Sequence, residues 1–242
     1  MPCINLKKCW SNMKKLPVTL SKTEFQQGLG FLCFQQLFLP LLLGLLTAAI
    51  SLTDAQLNFT YFLINYIIAL ILFRNFLWAE LEIAVERPGR VFSSMAIAYG
   101  IYYLMSTFLA YLTDWIDPAF SNLNDASIGA MSQQQFSLMT VGTVLLVPLS
   151  EELLFRGVLF NRIYQTKPLL ACFVSVILFS LVHLVGFIME YSPLHFFLAF
   201  LQYLPAGIAL CYAYIRSGTI FSSVLFHTLV NALAMYYQFT LR

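Results

Sequence analysis

The sequence predicts an all-α membrane protein, a polytopic bundle of about seven transmembrane helices with the N-terminus inside and the C-terminus outside. Three observations predict it. Of 242 residues, 60% are hydrophobic and only 10% charged, with a mean hydropathy of +0.79; an average soluble domain is about 25% charged. Apolar windows near the length that crosses a bilayer, about 20 helical residues, recur along the chain. Basic residues fall in alternate connecting segments, as they do when Lys and Arg collect on the cytoplasmic side.

The windows run over residues 29–50, 59–73, 91–112, 136–160, 169–188, 194–215 and 220–239. The second is short unless Asn75 to Trp78 extend it. The segments assigned to the inside carry Lys7, Lys8, Lys14, Lys15 and Lys22, then Arg74, Arg87 and Arg90, then Arg162 and Lys167, then Arg216. Those assigned to the outside carry Asp54, then Asp114, Asp117 and Asp125, then Glu190, and their one cation is Arg242. The first window is too long for a cleaved leader and runs directly into another span, so the N-terminus is expected to be retained. The expected organisation is a basic cytoplasmic tail (1–28), three N-terminal spans (29–130) and a four-span catalytic core (131–242). The tail, which contains Trp10, reads either as a loose topology signal or as a helix lying on an anionic leaflet.

A net charge of +2, dispersed along the chain, excludes a nucleic-acid partner. The cysteines Cys3, Cys9, Cys33, Cys172 and Cys211 are odd in number and show no CxxC pairing, so neither a disulfide framework nor a zinc knuckle is expected. The expected surroundings are the lipid bilayer of the plasma (cytoplasmic) membrane and a peptide or membrane-protein substrate. Sequence leaves the oligomeric state open.

Ionisable groups inside spans cost about 2.5 to 3.5 kcal/mol each at the helix centre unless paired or hydrated. Here they cluster in three C-terminal windows: Glu151, Glu152 and Arg156 in PLSEELLFRG, His183 in FSLVHL, and His227 with Asn231 in FHTLVNAL. Neighbours on a helix point about 100° apart, so the two glutamates serve different faces. Glu152 and Arg156 are four apart and can neutralise each other. Glu151 is left without a local counter-charge, which suits a general base, although a single Glu could equally only hydrogen-bond a neighbouring helix. Pro148 loosens the backbone just upstream. Phe179 shares a helical face with His183 and can shield or orient it. His227 and Asn231 share another face, as interhelical glue or as paired donors. Together the groups compose a water-activating site with an oxyanion pocket. Counting 1.5 Å per residue from the inner ends puts Glu151 about 16 Å deep and His183 about 21 Å deep, a mismatch that a later start or a tilt of the fifth helix would remove.

EELLFR reads as Glu-Glu-x-x-x-Arg, FSLVH as Phe-x-x-x-His and HTLVN as His-x-x-x-Asn. In that order, in successive spans, these resemble the CPBP family (CAAX proteases and bacteriocin-processing enzymes, also called Abi) over roughly residues 136–239. The resemblance implies an intramembrane endopeptidase, related to the enzyme that trims prenylated CaaX proteins, with a role in bacteriocin maturation or self-immunity. Carried over residue by residue, Glu151 and His183 would hold and deprotonate a water, His227 and Asn231 would stabilise the oxyanion, and Glu152, Arg156 and Phe179 would support them. No cofactor is required on this reading. If a metal such as zinc is bound, its ligands would be Glu151, His183 and His227, but the chain has no HExxH helix and the glutamate-type reading is favoured. Two other classes compete: a non-catalytic membrane partner of a sensor kinase or bacteriocin immunity protein, and a small transporter that uses the same carboxylates.

Overall fold

The computed structural model describes residues 15–47 and 50–240. The basic stretch with Trp10, Cys3 and Cys9, and the terminal Arg242, lie outside the described residues. Six helices are long and apolar enough to cross a membrane: α1 (Lys22–Thr47), α2 (Asp54–Leu72), α4 (Pro88–Ile116), α6 (Phe136–Tyr164), α8 (Pro193–Ser217) and α9 (Ile220–Thr240). The apolar helix α7 (Pro168–Val182) completes a bundle of seven. Between spans lie α3 (Arg74–Glu86) and α5 (Leu123–Gln134). Among the described residues there is no strand. The chain is a multi-pass membrane protein.

Two expected spans are corrected. The window at 59–73 does not extend through Asn75 to Trp78, because the chain turns at Phe73 (φ −109°, ψ 19°) and those residues open α3. Instead α2 begins at Asp54, where Thr53 and Gln56 form a reciprocal capping box that satisfies the first free N–H groups. The window at 169–188 is helical only to Val182, giving α7 15 residues. The reason is local: His183 Nδ1 sits 2.8 Å from the carbonyl oxygen of Phe179, the oxygen that the His183 backbone N–H would take to continue the helix. A short 3₁₀ turn, Val185–Phe187, follows.

Two helices carry a widened, π-type turn just before a proline. Residues Phe34–Phe38 precede Pro40 in α1, and residues Val141–Leu146 precede Pro148 in α6. Proline lacks an N–H and its ring crowds the preceding turn, so a wider turn accommodates it without breaking the helix. Helix α6 is the innermost span, with 56% of its most apolar window buried against 6% for α4. Its Leu153, Leu154, Phe155, Val158 and Phe160 anchor the main core. Helix α8 packs most extensively on α4, then on α7 and α9. It ends at Gly218, whose φ of 81° a side chain would resist, and this turn sends α9 back across the bundle. Helix α1 reaches the core through Gly28, where an added Cβ would collide with the Val158 side chain.

Candidate active site

Helix α6 delivers the acidic pair on two faces. Glu152 is fully buried and accepts from Arg156 Nη1 at 3.0 Å. The guanidinium also donates from Nη2 to the Gly207 carbonyl of α8 at 3.2 Å and lies over the Phe179 ring, 4.6 Å from its centroid. Glu152 Oε1 is 3.1 Å from His227 Nδ1 as well. A buried charge pair therefore ties α6, α7, α8 and α9 together, and Glu152 holds the α9 imidazole in place.

Glu151 points the other way. Its Oε2 is buried and has no hydrogen-bond partner. It lies 3.9 Å from His183 Nε2 and 4.0 Å from His227 Nε2. The opposite ring nitrogen of each histidine is committed. His183 Nδ1 faces a backbone carbonyl and His227 Nδ1 faces a carboxylate; both oxygens only accept, so each Nδ1 carries a proton. In the neutral rings both Nε2 atoms then present a lone pair toward Glu151. A water in this gap can donate its two hydrogens to Glu151 Oε2 and His183 Nε2, and accepts from His227 Nε2 when that ring is an imidazolium. Tetrahedral zinc, with bonds of about 2.0 to 2.2 Å, keeps its ligand atoms about 3.3 Å apart, closer than these groups stand. Among the described residues no group of three His, Cys, Asp or Glu is arranged to hold a metal ion.

The expected mismatch in depth is removed because α6 runs on to Tyr164, so Glu151 lies 13 residues from that end and His183 lies 15 residues from the start of α7 at Pro168, and the two side chains meet at 3.9 Å. Phe179 lies beside both histidines, with ring centroids 4.8 Å from His183 and 6.0 Å from His227. Asn231 lies one turn beyond His227 and lines the same cavity of about 500 Å³ as Glu151, His183 and His227. Its Nδ2 already donates to the Thr143 carbonyl at 2.7 Å, which leaves one amide hydrogen uncommitted.

Three contributors escaped the sequence reading. Tyr203 of α8 stacks on His183, with centroids 4.5 Å apart and planes 22° from parallel. Its hydroxyl donates to Asp125 of α5 at 3.0 Å, and burial raises the Asp125 carboxyl above its ordinary range. Asp125 reads in sequence only as an anion of an outer connecting segment; the structure places it in the first turn of α5, capped by Asn122, and nothing in its spacing announces the contact with Tyr203. Glu80 of α3, in a segment that reads as a polar inner connection, is wholly buried. It accepts from Tyr214 Oη at 3.0 Å and from the Ile220 N–H at 2.8 Å, and burial pushes its carboxyl up to about 7. It fixes the turn between α8 and α9, and so the register of His227.

Comparison with known proteins adds a similarity over the C-terminal half. Residues 133–233 match the family described as type II CAAX prenyl endopeptidase Rce1-like. Over these residues the chain is similar to that family. All of Glu151, Glu152, Arg156, Phe179, His183, His227 and Asn231 fall within the Rce1-like segment. A curated relative, UPF0177 protein YbdJ of Lactococcus lactis subsp. lactis (strain IL1403), is 32% identical over 151 residues, covering 61% of this chain and 56% of that protein. The chain thus spans little more than half the length of the curated relative it matches. No solved structure matches the chain.

Proposed function

We propose that this protein is an intramembrane endopeptidase that hydrolyses a peptide bond of a membrane-associated peptide or protein with water activated by Glu151 and His183. The observation that carries the reading is the buried, unpartnered Oε2 of Glu151 facing two imidazole Nε2 atoms across a gap the size of one water. Glu151 takes a proton from that water while its oxygen attacks the carbonyl carbon, and His183 Nε2 orients it as an acceptor. His227, in the imidazolium form with its Nδ1–H held by Glu152, donates from Nε2 to the developing oxyanion together with the free hydrogen of Asn231. The tetrahedral intermediate collapses as Glu151 returns its proton to the departing amine, leaving a carboxylic acid and an amine as products. No step is routed through a metal. The inner face holds the N-terminus, and the setting we attach to the activity is bacteriocin maturation or self-immunity in a bacterial plasma membrane.

The test compares wild-type protein with Glu151→Gln and His183→Ala in membranes matched for expression, with cleavage of co-expressed membrane peptides read by mass spectrometry. Each variant is expected to lose at least about 100-fold in rate, and a zinc chelator is expected to leave the wild-type rate unchanged. Wild-type turnover in Glu151→Gln sinks the proposal, and chelator-sensitive turnover sinks its metal-free form.

A further inference from the structure

A second cavity, of about 460 Å³, opens on the other side of Glu151 and His183 and is walled by the N-terminal spans. Two of its lining side chains are buried carboxamides. Asn65, midway along α2, is 1% exposed, and neither its oxygen nor its nitrogen has a hydrogen-bond partner. Gln35, in the widened turn of α1, is 6% exposed, and its Oε1 has none. Between them Tyr61, one turn before Asn65, donates to the Gln35 backbone carbonyl at 3.3 Å; its hydroxyl also lies near both carboxamides but completes neither of them. Within a bilayer an unsatisfied amide is costly, and two of them facing one cavity call for an occupant that completes their hydrogen bonds. The wide turn ahead of Pro40 belongs to the same arrangement, since it lies where Gln35 meets the cavity.

The chemistry of the lining defines the occupant. A carboxamide offers a donor and an acceptor side by side, the complement of a peptide group with its own N–H and C=O. Neither cavity beside Glu151 includes a Lys or Arg among its described lining residues, and the first also holds Asp54. A free carboxylate has nothing to pair with there, whereas a neutral backbone does. We propose that Gln35 and Asn65 form a binding subsite for the main chain of an extended, internal peptide segment, laid along the first cavity so that an adjoining peptide bond reaches Glu151. The proposal rests on the endopeptidase reading for its purpose, but the binding stands without turnover. It gives the N-terminal spans, which lie outside the Rce1-like match, a direct part in holding substrate.

The test uses the full chain in lipid nanodiscs with Glu151→Gln to block hydrolysis. The probe is a fluorescently labelled nonapeptide of Leu, Val and Ala with an amidated C-terminus, and binding is read by anisotropy. Saturable binding is expected, weakened roughly tenfold by Asn65→Leu and again by Gln35→Leu, as loss of a hydrogen bond to a desolvated partner predicts. A peptide N-methylated at successive amides should lose affinity at one position for the Asn65 protein and not for Asn65→Leu. Thermal stability of Asn65→Leu should be unchanged or higher, because a buried unpaired amide is removed. Absence of saturable binding overturns the proposal. So does unchanged affinity, or a fall in stability with affinity intact, which is the mark of an amide that serves helix packing. Amide-dependent binding without cleavage by the wild-type protein would retain the subsite and refute the endopeptidase reading alone.

Discussion

Replacing Arg156 with Leu probes the innermost electrostatic contact of the bundle. Glu152 and Arg156 have no solvent-accessible side-chain surface and meet at 3.0 Å. The guanidinium has two further contacts, the Gly207 carbonyl and the Phe179 ring. In Arg156→Leu the carboxylate stays buried with only His227 Nδ1 as partner, and breaking a buried pair from one side costs about 3 to 5 kcal/mol. The Phe179 contact adds about 0.5 to 2 kcal/mol. Neutralising both ends in Glu152→Gln/Arg156→Leu removes the stranded charge, so the double variant should be more stable than Arg156→Leu by about 2 kcal/mol or more. Arg156→Lys keeps the charge without the planar fork that reaches Glu152 and Gly207 together, and should fall between wild type and Leu. The assay is thermal unfolding of detergent-purified protein, run as a double-mutant cycle at one pH. A cost below about 1 kcal/mol for Arg156→Leu, or equal costs for the single and double variants, would refute the view that this pair is a closed, mutually dependent unit.

Other outcomes follow from the same contacts. Glu80 is protonated more readily in the folded protein than when unfolded, so stability is fully present below its ordinary value near 4.5 and is lost as pH rises through about 7. A melting series from pH 5 to pH 8 should show that decline in the wild type and a flatter profile in Glu80→Gln. Gly28→Ala forces a methyl against Val158 and should destabilise by about 1 to 3 kcal/mol, with partial recovery in Gly28→Ala/Val158→Ala measured by the same melts. Tyr203→Leu removes the ring stacked on His183 and should lower kcat of an active preparation more than it raises KM, while Tyr203→Phe keeps the stack and most of the rate. Equal losses in both Tyr203 variants would show that the hydroxyl contact to Asp125 matters, rather than the ring.

The spans and the paired faces were legible because both follow from local rules. A run of about 20 apolar residues has few fates other than a membrane helix. Spacing of four residues brought Glu152 to Arg156 and His227 to Asn231 on single helices, and adjacency separated Glu151 from Glu152. Those rules act along one element and need no knowledge of its neighbours. The end of α7 at His183 was not legible, since the competing side-chain bond to the Phe179 carbonyl appears only once the ring is oriented. Glu80 was missed for a related reason: on its own helix it is an ordinary charge, and only the α8–α9 turn closing over it makes it a buried one.

By itself, then, the sequence determined that this chain enters a membrane as a helical bundle and that the ionisable groups inside its spans cluster in the C-terminal half, because hydropathy and helical period are properties of segments. The tertiary structure decided which Nε2 atoms face Glu151, which oxygens are left without partners, and that α1 and α2 contribute Gln35 and Asn65 to a cavity against the same carboxylate. Such relations join residues between 32 and 116 positions apart in the chain, and their geometry is fixed by how the helices pack rather than by any period along the chain.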